Sequence, residues 1–534
     1  MKNRPYPLNT VPPVKNLKEF VLYCANEYAD RTAFQFEQYN RIIRISFREF
    51  LDDINGLGTM LHYLGLHAEK IALIGDNSYN WILSYFAVVN GGSIIVPLDP
   101  ETKEDDLTKL LMNTEISCVI CSERFFDKIQ KIRDTVNIHQ IYILEKDISD
   151  LVCQGNELIG KGERLFIDYA VQDNACSAIL YTSGTTSQPK GVMLSHKNIA
   201  TNAVVSIKNV FFAGTSILVL PLYHTFSFTA SVLCVLLSGR TISINKNLKE
   251  LKNDFNKYQP QNLVLVPMIV ESLYKQIWIQ AKKKKKDKLL RTLIVASNTL
   301  LKIKIDMRKI LFSSVRNSFG GKLEFIISGG ALIQNKYIKG FRELGIQVLN
   351  GYGITECSPV LSVNRNFYFK DHSAGQILDG IDIKVVNDEI LVKGDVVFAG
   401  YYRDKSQTSE AFQDGWFKTG DLGYIDDDGF LYITGRKKNL IILNNGKNIN
   451  PEEIEDHFYK LDYVKEVVVY QNDNQIEAKI YFGNENVELY AKQIEHDLNI
   501  INNQLPKYKN ISKIIIRGTE FPKTSTKKIR REKI

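Results

Sequence analysis

The sequence predicts an α/β protein with a large N-terminal α/β domain, which includes a β-rich subdomain, and a small C-terminal α+β domain. Three observations support this fold class. Apolar runs of strand length alternate with helical patterns over the first two thirds of the chain, as in layered folds with a largely parallel sheet. Beyond about residue 360, short strands alternate with tight turns. The last hundred residues carry a separate pattern of helices and strands, which is enough for an independent domain.

The elements of the first part follow from local periodicity. Apolar residues recur every three or four positions over 17–28, which predicts an amphipathic helix, and 81–89 shows a second helical pattern. Short apolar runs predict buried strands at KIALIG (70–75), SIIVPL (93–98), CVICS (118–122), IYIL (141–144), NLVLVP (262–267) and LEFIIS (323–328). The last two runs predict a second α/β unit.

The part of the chain beyond residue 360 has shorter elements. The runs DIKVV and EILVKG, together with turns at 414–415 and 426–429, predict a small β-rich subdomain. We place the domain boundary between 437 and 438, giving an N-terminal domain 1–437 and a C-terminal domain 438–534. The elements predicted for the second domain are a helix at 451–460, strands at 464–470 and 477–482, a helix near 487–503 and a strand at 513–517.

Composition and charge exclude several classes of protein. The 534 residues are 44% hydrophobic and 24% charged, with a net charge of +8, as in soluble globular proteins and unlike disordered or collagen-like chains. Seven cysteines are too few for a disulfide-stapled miniprotein. Cys118 and Cys121 have CxxC spacing, but no second Cys or His pair lies nearby, so we expect buried strand cysteines rather than a zinc site.

No segment of the sequence predicts a membrane span. The most apolar stretch, 217–237, is interrupted by Pro221 and His224. We therefore expect a cytoplasmic protein, with peripheral association at the inner face of the membrane as an alternative. The basic run Lys282–Lys288 is the basis for that alternative, because such runs attract anionic lipid headgroups, although most are simply solvated. It lacks the aromatic residues of a nucleic-acid site, and we expect no nucleic-acid partner.

The strongest local motif is YTSGTTSQPKG, residues 181–191. It follows the apolar run 178–180 and precedes a predicted helix that starts near Ser195. Backbone N–H groups, short hydroxyls and one Lys between a strand and a helix form a natural phosphate cradle. It differs from the P-loop of NTPases, because Lys190 is followed by Gly191 and not by Ser or Thr.

Six further motifs follow in order along the chain: PLYHTF (221–226), SGGA (328–331), NGYGITE (350–356), TGD (419–421), GRKKNL (435–440) and PKTSTKK (522–528). With the phosphate loop, these motifs resemble those of the adenylate-forming superfamily, which includes acyl-CoA synthetases, luciferases and peptide-synthetase adenylation domains. The resemblance covers nearly the whole chain from about residue 17. The subfamily that the sequence most resembles is the bacterial long-chain fatty acid–CoA ligases.

Several motif residues suit nucleotide chemistry on their own. Glu356 follows a Gly-rich turn and offers oxygen ligands for a Mg²⁺ that bridges ATP phosphates. Tyr352 offers an aromatic face to adenine and Thr355 a hydroxyl to the α-phosphate. Asp421 can accept hydrogen bonds from both ribose hydroxyls, and Arg436 can supply a further ribose or phosphate contact.

The resemblance implies the rest of the nucleotide site. Thr182 is expected to act in catalysis and, with Glu356, in holding the metal. The other residues expected to bind ATP or AMP are Ser183, Gly184, Thr185, Thr186, Lys190, Gly329, Gly330, Ala331, Asn350, Gly351 and Gly353.

The resemblance also implies roles in catalysis and domain movement. Lys528 matches the catalytic lysine that reaches the carboxylate and the α-phosphate, and His224 is expected to gate the junction between the acyl pocket and the nucleotide. Lys438 is expected at the hinge of a mobile C-terminal domain. Gly446 and Lys447 are expected to bind CoA.

Three positions depart from the family pattern. Ser187 stands where the phosphate loop usually has Gly, Asn445 stands where a Gly is common, and Lys527 replaces a frequent Gly beside Lys528. Asn tolerates left-handed backbone better than most residues, so the second change is mild. Register assigns the catalytic role to Lys528.

The predicted activity is ATP- and Mg²⁺-dependent activation of a fatty acid, of medium to long chain, to an acyl-adenylate, followed by transfer to CoA. One alternative acceptor is the phosphopantetheine of an acyl carrier protein. A second alternative is a non-catalytic nucleotide-binding homologue. The motifs GxSxG and HExxH are absent from the sequence, so a serine hydrolase or a zinc protease is not indicated.

Overall fold

The computed structural model describes residues 4–182, 189–245, 247–443, 447–473, 475–483, 487–523, 529–531 and 534. The chain forms two compact units. The first unit comprises Met1–Asp382 and Lys393–Phe412, and the second comprises Ile383–Val392 and Gln413–Ile534. The boundary predicted at 437/438 separates the domain expected to move from the rest of the chain, and it stays a prediction.

The strands of the described residues are β1 (Thr32–Gln38), β2 (Arg41–Ser46), β3 (Lys70–Ile74), β4 (Ile94–Pro97), β5 (Cys118–Cys121), β6 (Gln140–Ile143), β7 (Cys176–Thr182), β8 (Lys190–Ser195), β9 (Thr215–Leu218), β10 (Thr241–Ile244), β11 (Asn262–Leu265), β12 (Phe325–Ser328), β13 (Gln347–Gly353), β14 (Val360–Val363), β15 (Gln376–Ile377), β16 (Asp382–Val386), β17 (Glu389–Lys393), β18 (Gly400–Tyr401), β19 (Phe412–Gln413), β20 (Trp416–Ile425), β21 (Leu431–Arg436), β22 (Ile441–Ile442), β23 (Asn448–Ile449), β24 (Glu466–Asn472), β25 (Gln475–Tyr481) and β26 (Ile511–Arg517).

The α-helices are α1 (Leu17–Tyr28), α2 (Phe47–Tyr63), α3 (Tyr79–Asn90), α4 (Glu104–Thr114), α5 (Phe126–Val136), α6 (Ile148–Gly160), α7 (His196–Asn209), α8 (Thr225–Ser227), α9 (Cys234–Leu237), α10 (Leu251–Tyr258), α11 (Pro267–Lys283), α12 (Asp287–Lys302), α13 (Arg308–Leu311), α14 (Ser313–Asn317), α15 (Asn335–Glu343), α16 (Lys405–Ala411), α17 (Pro451–Tyr459) and α18 (Val487–Gln504). A π-helical segment, Phe228–Leu233, joins α8 to α9. Among the described residues, no helix has both the length and the apolar character needed to cross a membrane.

Two large sheets form the frame of the first unit. The seven-stranded sheet has the order β18-β8-β7-β4-β3-β5-β6, with β8 and β18 antiparallel to their neighbours and the rest parallel. The nine-stranded sheet has the order β15-β14-β13-β12-β11-β9-β10-β1-β2, with a parallel centre of six strands. Parallel strands need helical crossovers, which explains the strand–helix alternation in the sequence.

Apolar side chains fill the layers between these sheets and their helices. One core lies between the nine-stranded sheet and α11, α12 and α15, and includes Leu263, Ile277 and Phe341. Another packs α4 and α5 against the seven-stranded sheet, where Val119 and Cys121 are fully buried. Cys118 is buried as well, so both members of the CxxC pair are strand residues, as expected.

The second unit is built from antiparallel and mixed sheets. A five-stranded sheet contains β16, β17, β19, β20 and β21, and a three-stranded sheet contains β24, β25 and β26. Ile454, Phe458 and Ile480 belong to the core that covers the second of these sheets. The predicted α+β pattern of the last hundred residues is confirmed.

The predicted elements are confirmed with one correction. Helix α1 has the predicted bounds. Its start is fixed by Asn16, whose side chain caps the helix by accepting hydrogen bonds from Lys18 N and Glu19 N. The correction concerns the start of the β-rich part. Strands β14 and β15 continue the nine-stranded sheet, so the separate small sheet begins with β16 and not near residue 360.

Candidate functional site

The ends of the predicted phosphate loop meet across an antiparallel strand pair. Thr182, the last residue of β7, lies opposite Lys190, the first residue of β8. The loop residues Ser183, Gly184, Thr185 and Thr186, and also Ser187, lie outside the described residues. The strand pair therefore fixes where the loop leaves and re-enters the sheet.

Helix α7 follows β8 directly, and its start is set by a capping box. Ser195 accepts a hydrogen bond from Asn198 N, and the Asn198 side chain accepts one from Ser195 N. The Asn198 amide also donates to Asp395 O at 2.7 Å and Val397 O at 3.0 Å. The helix thereby holds the segment that leads into β18.

A second amide on the same face of α7 holds the turn after β13. Asn202 is fully buried, and its amide group donates to Cys357 O and Val360 O at 3.1 and 2.8 Å. Its oxygen accepts from Val360 N at 3.1 Å. Residues four apart lie on one helix face, so Asn198 and Asn202 position two separate segments together.

Those two segments bring Tyr401 to Glu356. The Tyr401 hydroxyl donates a hydrogen bond to Glu356 Oε1 at 3.0 Å, and Phe398 N donates to Glu356 O at 2.8 Å. Burial, and then the negative charge of Glu356, raise the pKa of Tyr401, so the hydroxyl keeps its proton. Lys190 Nζ lies 5.0 Å from the centroid of the same ring. A cation and a carboxylate thus contact one tyrosine.

Tyr401 was not predicted from the sequence. It lies in the two-residue strand β18, which pairs with β8 in the register Tyr401↔Val192. Nothing in the run AGYY indicates that pairing, since the partner strand is about 200 residues away. The antiparallel pairing with β8 is what carries Tyr401 to Lys190.

Glu356 presents a carboxylate that could hold a divalent cation. Its carboxylate is half-buried, and Tyr401 is its one hydrogen-bond donor among the described side chains. In the described part of the chain, no group of three or more His, Cys, Asp or Glu could hold a metal ion. A cation held by Glu356 would therefore take most of its remaining ligands from phosphate and water, which is the usual behaviour of Mg²⁺.

Two further motifs leave neighbouring parallel strands at the same edge of the nine-stranded sheet. Ser328 of β12 lies opposite Asn350 of β13. Gly329, Gly330 and Ala331 follow the first strand, while Gly351, Tyr352 and Gly353 end the second. Thr355 then starts the one-turn helix that contains Glu356. The carboxyl ends of parallel strands are where α/β proteins commonly bind ligands.

Close packing explains two of these glycines. A Cβ on Gly329 would lie 2.7 Å from the Phe226 ring, and one on Gly353 would lie 2.0 Å from Pro359 O. Gly329 therefore allows the PLYHTF segment to approach the SGGA segment. Gly353 allows the sharp turn that presents Glu356.

Asn350 has a buried side chain. It is 6% exposed, and its amide donates to Ser373 O at 3.1 Å. Asn364 N in turn donates to Asn350 O at 2.9 Å. These contacts brace the end of β13, and the predicted contact of Asn350 with nucleotide stays a prediction.

His224 lies half-buried at the start of α8, with its ring centroid 4.2 Å from that of Tyr223. Asn77 holds the preceding turn by accepting from Leu222 N and donating to Leu220 O.

An apolar cavity lies beside Thr225 and is lined by Tyr85, Pro97, Leu180, Leu194, Ile199, Leu222, Thr225, Phe228 and Thr229. The π-helical segment supplies two of these residues, and such segments often occur at functional sites.

In the second unit, Asp421 and Arg436 lie opposite each other on β20 and β21. Arg436 Nε is 2.8 Å from Asp421 Oδ1, and the Asp421 side chain is only 3% exposed whereas that of Arg436 is 45% exposed. Thr419 Oγ1 accepts from Asp421 N at 3.0 Å. The two predicted ribose-contacting residues are therefore partners of each other, and their contact with ribose stays a prediction.

The remaining predicted residues belong to the second unit. Lys438 lies in a one-turn helix, Lys437–Asn439. The preceding residue, Lys437, forms an ion pair with Glu389 at 2.7 Å. Lys447 Nζ lies 4.1 Å from the centroid of the Tyr508 ring. Lys528 and Gly446 lie outside the described residues, as do Asn445 and Lys527.

Family models match both parts of the chain. The AMP-binding enzyme model matches residues 23–402, and the model of the AMP-binding enzyme C-terminal domain matches residues 438–534. The resemblance to adenylate-forming enzymes is therefore confirmed.

Curated relatives are 27–28% identical to this chain over the aligned regions. A chloroplastic long-chain-fatty-acid–[acyl-carrier-protein] ligase of Arabidopsis thaliana is 27% identical, over 84% of this chain and 74% of that protein. A long-chain-fatty-acid–CoA ligase of Mycobacterium bovis is 27% identical over 80% and 75%. Long-chain-fatty-acid–CoA ligase 5 of Mus musculus is 28% identical over 80% and 69%.

Solved structures show the same fold. An anthranilate CoA ligase in complex with anthranoyl-AMP superposes with a TM-score of 0.77 at 19% identity, covering 100% of this chain and 98% of that one. The o-succinylbenzoate CoA synthetase of Bacillus subtilis, in complex with ATP and magnesium ion, gives a TM-score of 0.74 at 22% identity, covering 96% and 98%. The predicted fold class is confirmed, and with a family model that matches residues 23–402, the chain belongs to the AMP-binding enzymes.

Proposed function

We propose that this enzyme joins a fatty acid to ATP, forming an acyl-adenylate and pyrophosphate, and then transfers the acyl group to CoA with release of AMP. The observation that carries the proposal is the contact between Tyr401 and Glu356, with Lys190 over the same ring. This arrangement places a cation and a carboxylate beside the ends of the phosphate loop, where a nucleoside triphosphate needs them.

The chain's own residues would bind and orient the phosphates. Lys190 would neutralise phosphate charge, and the Tyr401 hydrogen bond would hold the Glu356 carboxylate in one orientation. Mg²⁺, when bound, would neutralise charge on the phosphates, with Glu356 and Thr182 as its proposed protein ligands. Preorganised charges of this kind stabilise the transition state without further reorganisation.

The first step would need no protein nucleophile. A carboxylate oxygen of the fatty acid attacks the α-phosphorus, a new P–O bond forms, and the bond to the β-phosphate oxygen breaks with loss of pyrophosphate. We assign to Lys528 the role of stabilising the negative charge that develops on the α-phosphate. The protein's contribution is then positioning and electrostatic stabilisation.

In the second step the CoA thiol attacks the acyl carbonyl. The C–S bond forms, the C–O bond to AMP breaks, and the thiol proton is lost to solvent. We assign Gly446 and Lys447 to CoA, Lys438 to the hinge, and residues 438–534 to the mobile domain.

Two features support a fatty acid as substrate. The relatives described above are named as ligases of long-chain fatty acids. The cavity beside Thr225 is lined mainly by apolar side chains, among them Leu180 and Phe228, and Leu180 lies two residues before Thr182.

A carrier protein is the second candidate acceptor. One relative is named as a ligase that uses an acyl carrier protein. The first half-reaction would be unchanged, and a phosphopantetheine thiol would replace that of CoA.

Mass spectrometry of the products distinguishes these acceptors. The enzyme is incubated with ATP-Mg²⁺ and a series of fatty acids from short to long, alone, with CoA, or with a phosphopantetheinylated carrier protein. We expect acyl-CoA only when CoA is present. Acyl-adenylate that accumulates unchanged by CoA but is consumed by the carrier protein would favour the second candidate, and absence of pyrophosphate release would overturn the proposal.

The role of Lys528 has a separate test. Lys528→Ala is expected to abolish adenylation but to retain thioester formation from supplied acyl-adenylate. Equal loss of both half-reactions would contradict the assignment.

We also propose a cytoplasmic location at the inner face of the membrane, since fatty acids partition into lipid. The basic run Lys282–Lys288 is the starting point, and its surroundings are described next.

A further inference from the structure

The basic run lies at the tip of a helical hairpin formed by α11 and α12. Lys282 and Lys283 end α11, and Lys284–Lys286 form the turn before α12. All five lysines are exposed, and none is paired with a carboxylate in the described part of the chain. Their charge is therefore directed to solvent.

The hairpin as a whole has a one-sided charge. Residues 267–302, which comprise α11, the turn and α12, contain nine Lys or Arg and two acidic residues, Glu271 and Asp287, and Glu271 pairs with Lys275. Such a surface attracts polyanions and repels a second copy of itself. A symmetric dimer through this face would place like charges together, so a second copy is not the occupant that the charge favours.

Apolar side chains continue along the outer face of α12. Leu290 and Ser297 face the core, whereas Leu289 and Val295 are 53% and 67% exposed on the other side. Ile303, just after the helix, is 65% exposed. Leu289, Thr292, Ala296, Thr299 and Ile303 fall at helical spacing and are all exposed, and Val295 lies beside them. These six residues form one exposed stripe, the outer stripe of α12.

We propose that this face, consisting of Lys282–Lys286, Lys288 and the outer stripe of α12, docks on a lipid surface that carries anionic headgroups. Lysines would contact the headgroups, while Leu289, Val295 and Ile303 would enter the boundary between headgroups and acyl chains. An amphipathic helix with cationic flanks binds membranes by these two contributions. Nucleic acid would use the charges but would leave the apolar stripe exposed to water.

Vesicle flotation with the full chain tests the proposal without ATP or fatty acid, so its failure is separable from that of the proposed activity. We expect the chain to float with vesicles that contain phosphatidylglycerol, to do so less at high salt, and to stay with the soluble fraction when the vesicles are phosphatidylcholine alone.

Two variants separate the two contributions. Replacing Lys282 to Lys286 with Gln should weaken partition to anionic vesicles at least about tenfold, because each basic residue near such a surface contributes independently. The triple variant Leu289→Ser, Val295→Ser and Ile303→Ser should weaken it about tenfold while the salt dependence remains. All the substituted side chains are exposed, so the melting temperature should not change.

Matched controls come from other surfaces of the chain. Five other exposed lysines, Lys109, Lys131, Lys161, Lys249 and Lys252, are replaced with Gln, and three other exposed leucines, Leu165, Leu248 and Leu489, with Ser. Both controls should float as the wild type does. If the hairpin variants float as the controls do, the proposal is wrong. Binding that a DNA duplex or polyglutamate competes away, with no effect of the apolar variant, would also overturn it, since the occupant would then be a soluble polyanion.

Discussion

Tyr401 Oη lies 3.0 Å from Glu356 Oε1, and this hydrogen bond joins two segments that are 45 residues apart in the chain. Helix α7 holds both segments, one through Asn198 and the other through Asn202. The carboxylate assigned to the metal is therefore positioned by residues that do not themselves need to contact substrate.

Tyr401→Phe tests this positioning role. The ring stays in place under Lys190, but the hydrogen bond to the carboxylate is lost. Because a hydrogen bond to a charged group contributes about 1.5–3 kcal/mol, we expect adenylation to fall about 10- to 100-fold. The Mg²⁺ concentration needed for half-maximal rate should rise.

The control is Tyr432→Phe, which removes a similar hydrogen bond, to Asp426 at 3.1 Å, in the second unit. Pyrophosphate release is measured across a Mg²⁺ titration. An equal effect of the two variants, or a lower rate with an unchanged Mg²⁺ requirement, would show that Tyr401 does not position the metal ligand.

Lys190→Met tests the phosphate contact. Methionine keeps much of the apolar stem against the Tyr401 ring but removes the charge. The KM for ATP should rise at least about tenfold, since charge-assisted contacts contribute about 1.5–3 kcal/mol. Lys70→Met is the matched control, because Lys70 Nζ also lies over a tyrosine ring, at 6.0 Å from the Tyr402 centroid. If both variants bind ATP as the wild type does, Lys190 has no role in phosphate binding.

Because Asp421 is buried and Arg436 is half-exposed, we expect replacing one partner of this ion pair to destabilise the protein more than replacing the other. Arg436→Gln removes a cation that lies 2.8 Å from a buried carboxylate, whereas Asp421→Asn removes the partner of a guanidinium that is already half-exposed. We expect Arg436→Gln to lower the stability of the second unit by about 1–3 kcal/mol and Asp421→Asn by less, because solvent screens the exposed partner. Thermal melting compares them with Arg164→Gln, which breaks an exposed pair with Asp168 and should have no effect. Equal melting temperatures for all three variants would contradict the prediction.

Because His196 is buried, we expect the free energy of unfolding to depend on pH. Burial lowers its pKa from 6.5 to about 4, and its Nδ1 has no hydrogen-bond partner among the described residues. Between those two values the unfolded chain binds a proton that the folded chain does not, so the stabilisation is complete above pH 6.5 and is lost as pH falls toward 4. The loss amounts to about 3 kcal/mol at about 1.4 kcal/mol per pH unit.

His196→Gln should therefore melt with a weaker pH dependence than the wild type between pH 6.5 and 4. The exposed His67→Gln should retain the dependence of the wild type. Parallel curves for all three proteins would show that His196 is not the titrating group.

Local patterns predicted much of this fold. The spacing of Leu17, Phe20, Val21 and Cys24, together with the Asn16 cap, determines α1, and these signals all lie within a dozen residues. The strands within 70–75, 93–98, 118–122, 262–267 and 323–328 were recognisable because they are buried and read as continuous apolar runs. Strands β1, β9, β10 and β13 were not predicted. The start of the β-rich part was misplaced, because β14 and β15 look the same in sequence whether they extend the large sheet or form a new one.

The site was predictable to a lesser extent. Motif order indicated Lys190 and Glu356, but Tyr401, Asn198 and Asn202 act through contacts between segments up to 199 residues apart. The burial of Asn350 and the pairing of Asp421 with Arg436 also depend on tertiary packing and strand register. Periodicity and motif spacing carry no information about such contacts.

The most direct test of the central claim follows the oxygen atoms of the fatty acid. The enzyme is supplied with ATP-Mg²⁺, CoA and a fatty acid labelled with ¹⁸O in its carboxylate, and the phosphorus-containing products are analysed by mass spectrometry. If the carboxylate attacks the α-phosphorus, one ¹⁸O appears in AMP and none in pyrophosphate. Unlabelled AMP, or ADP together with labelled inorganic phosphate, would contradict activation through an acyl-adenylate.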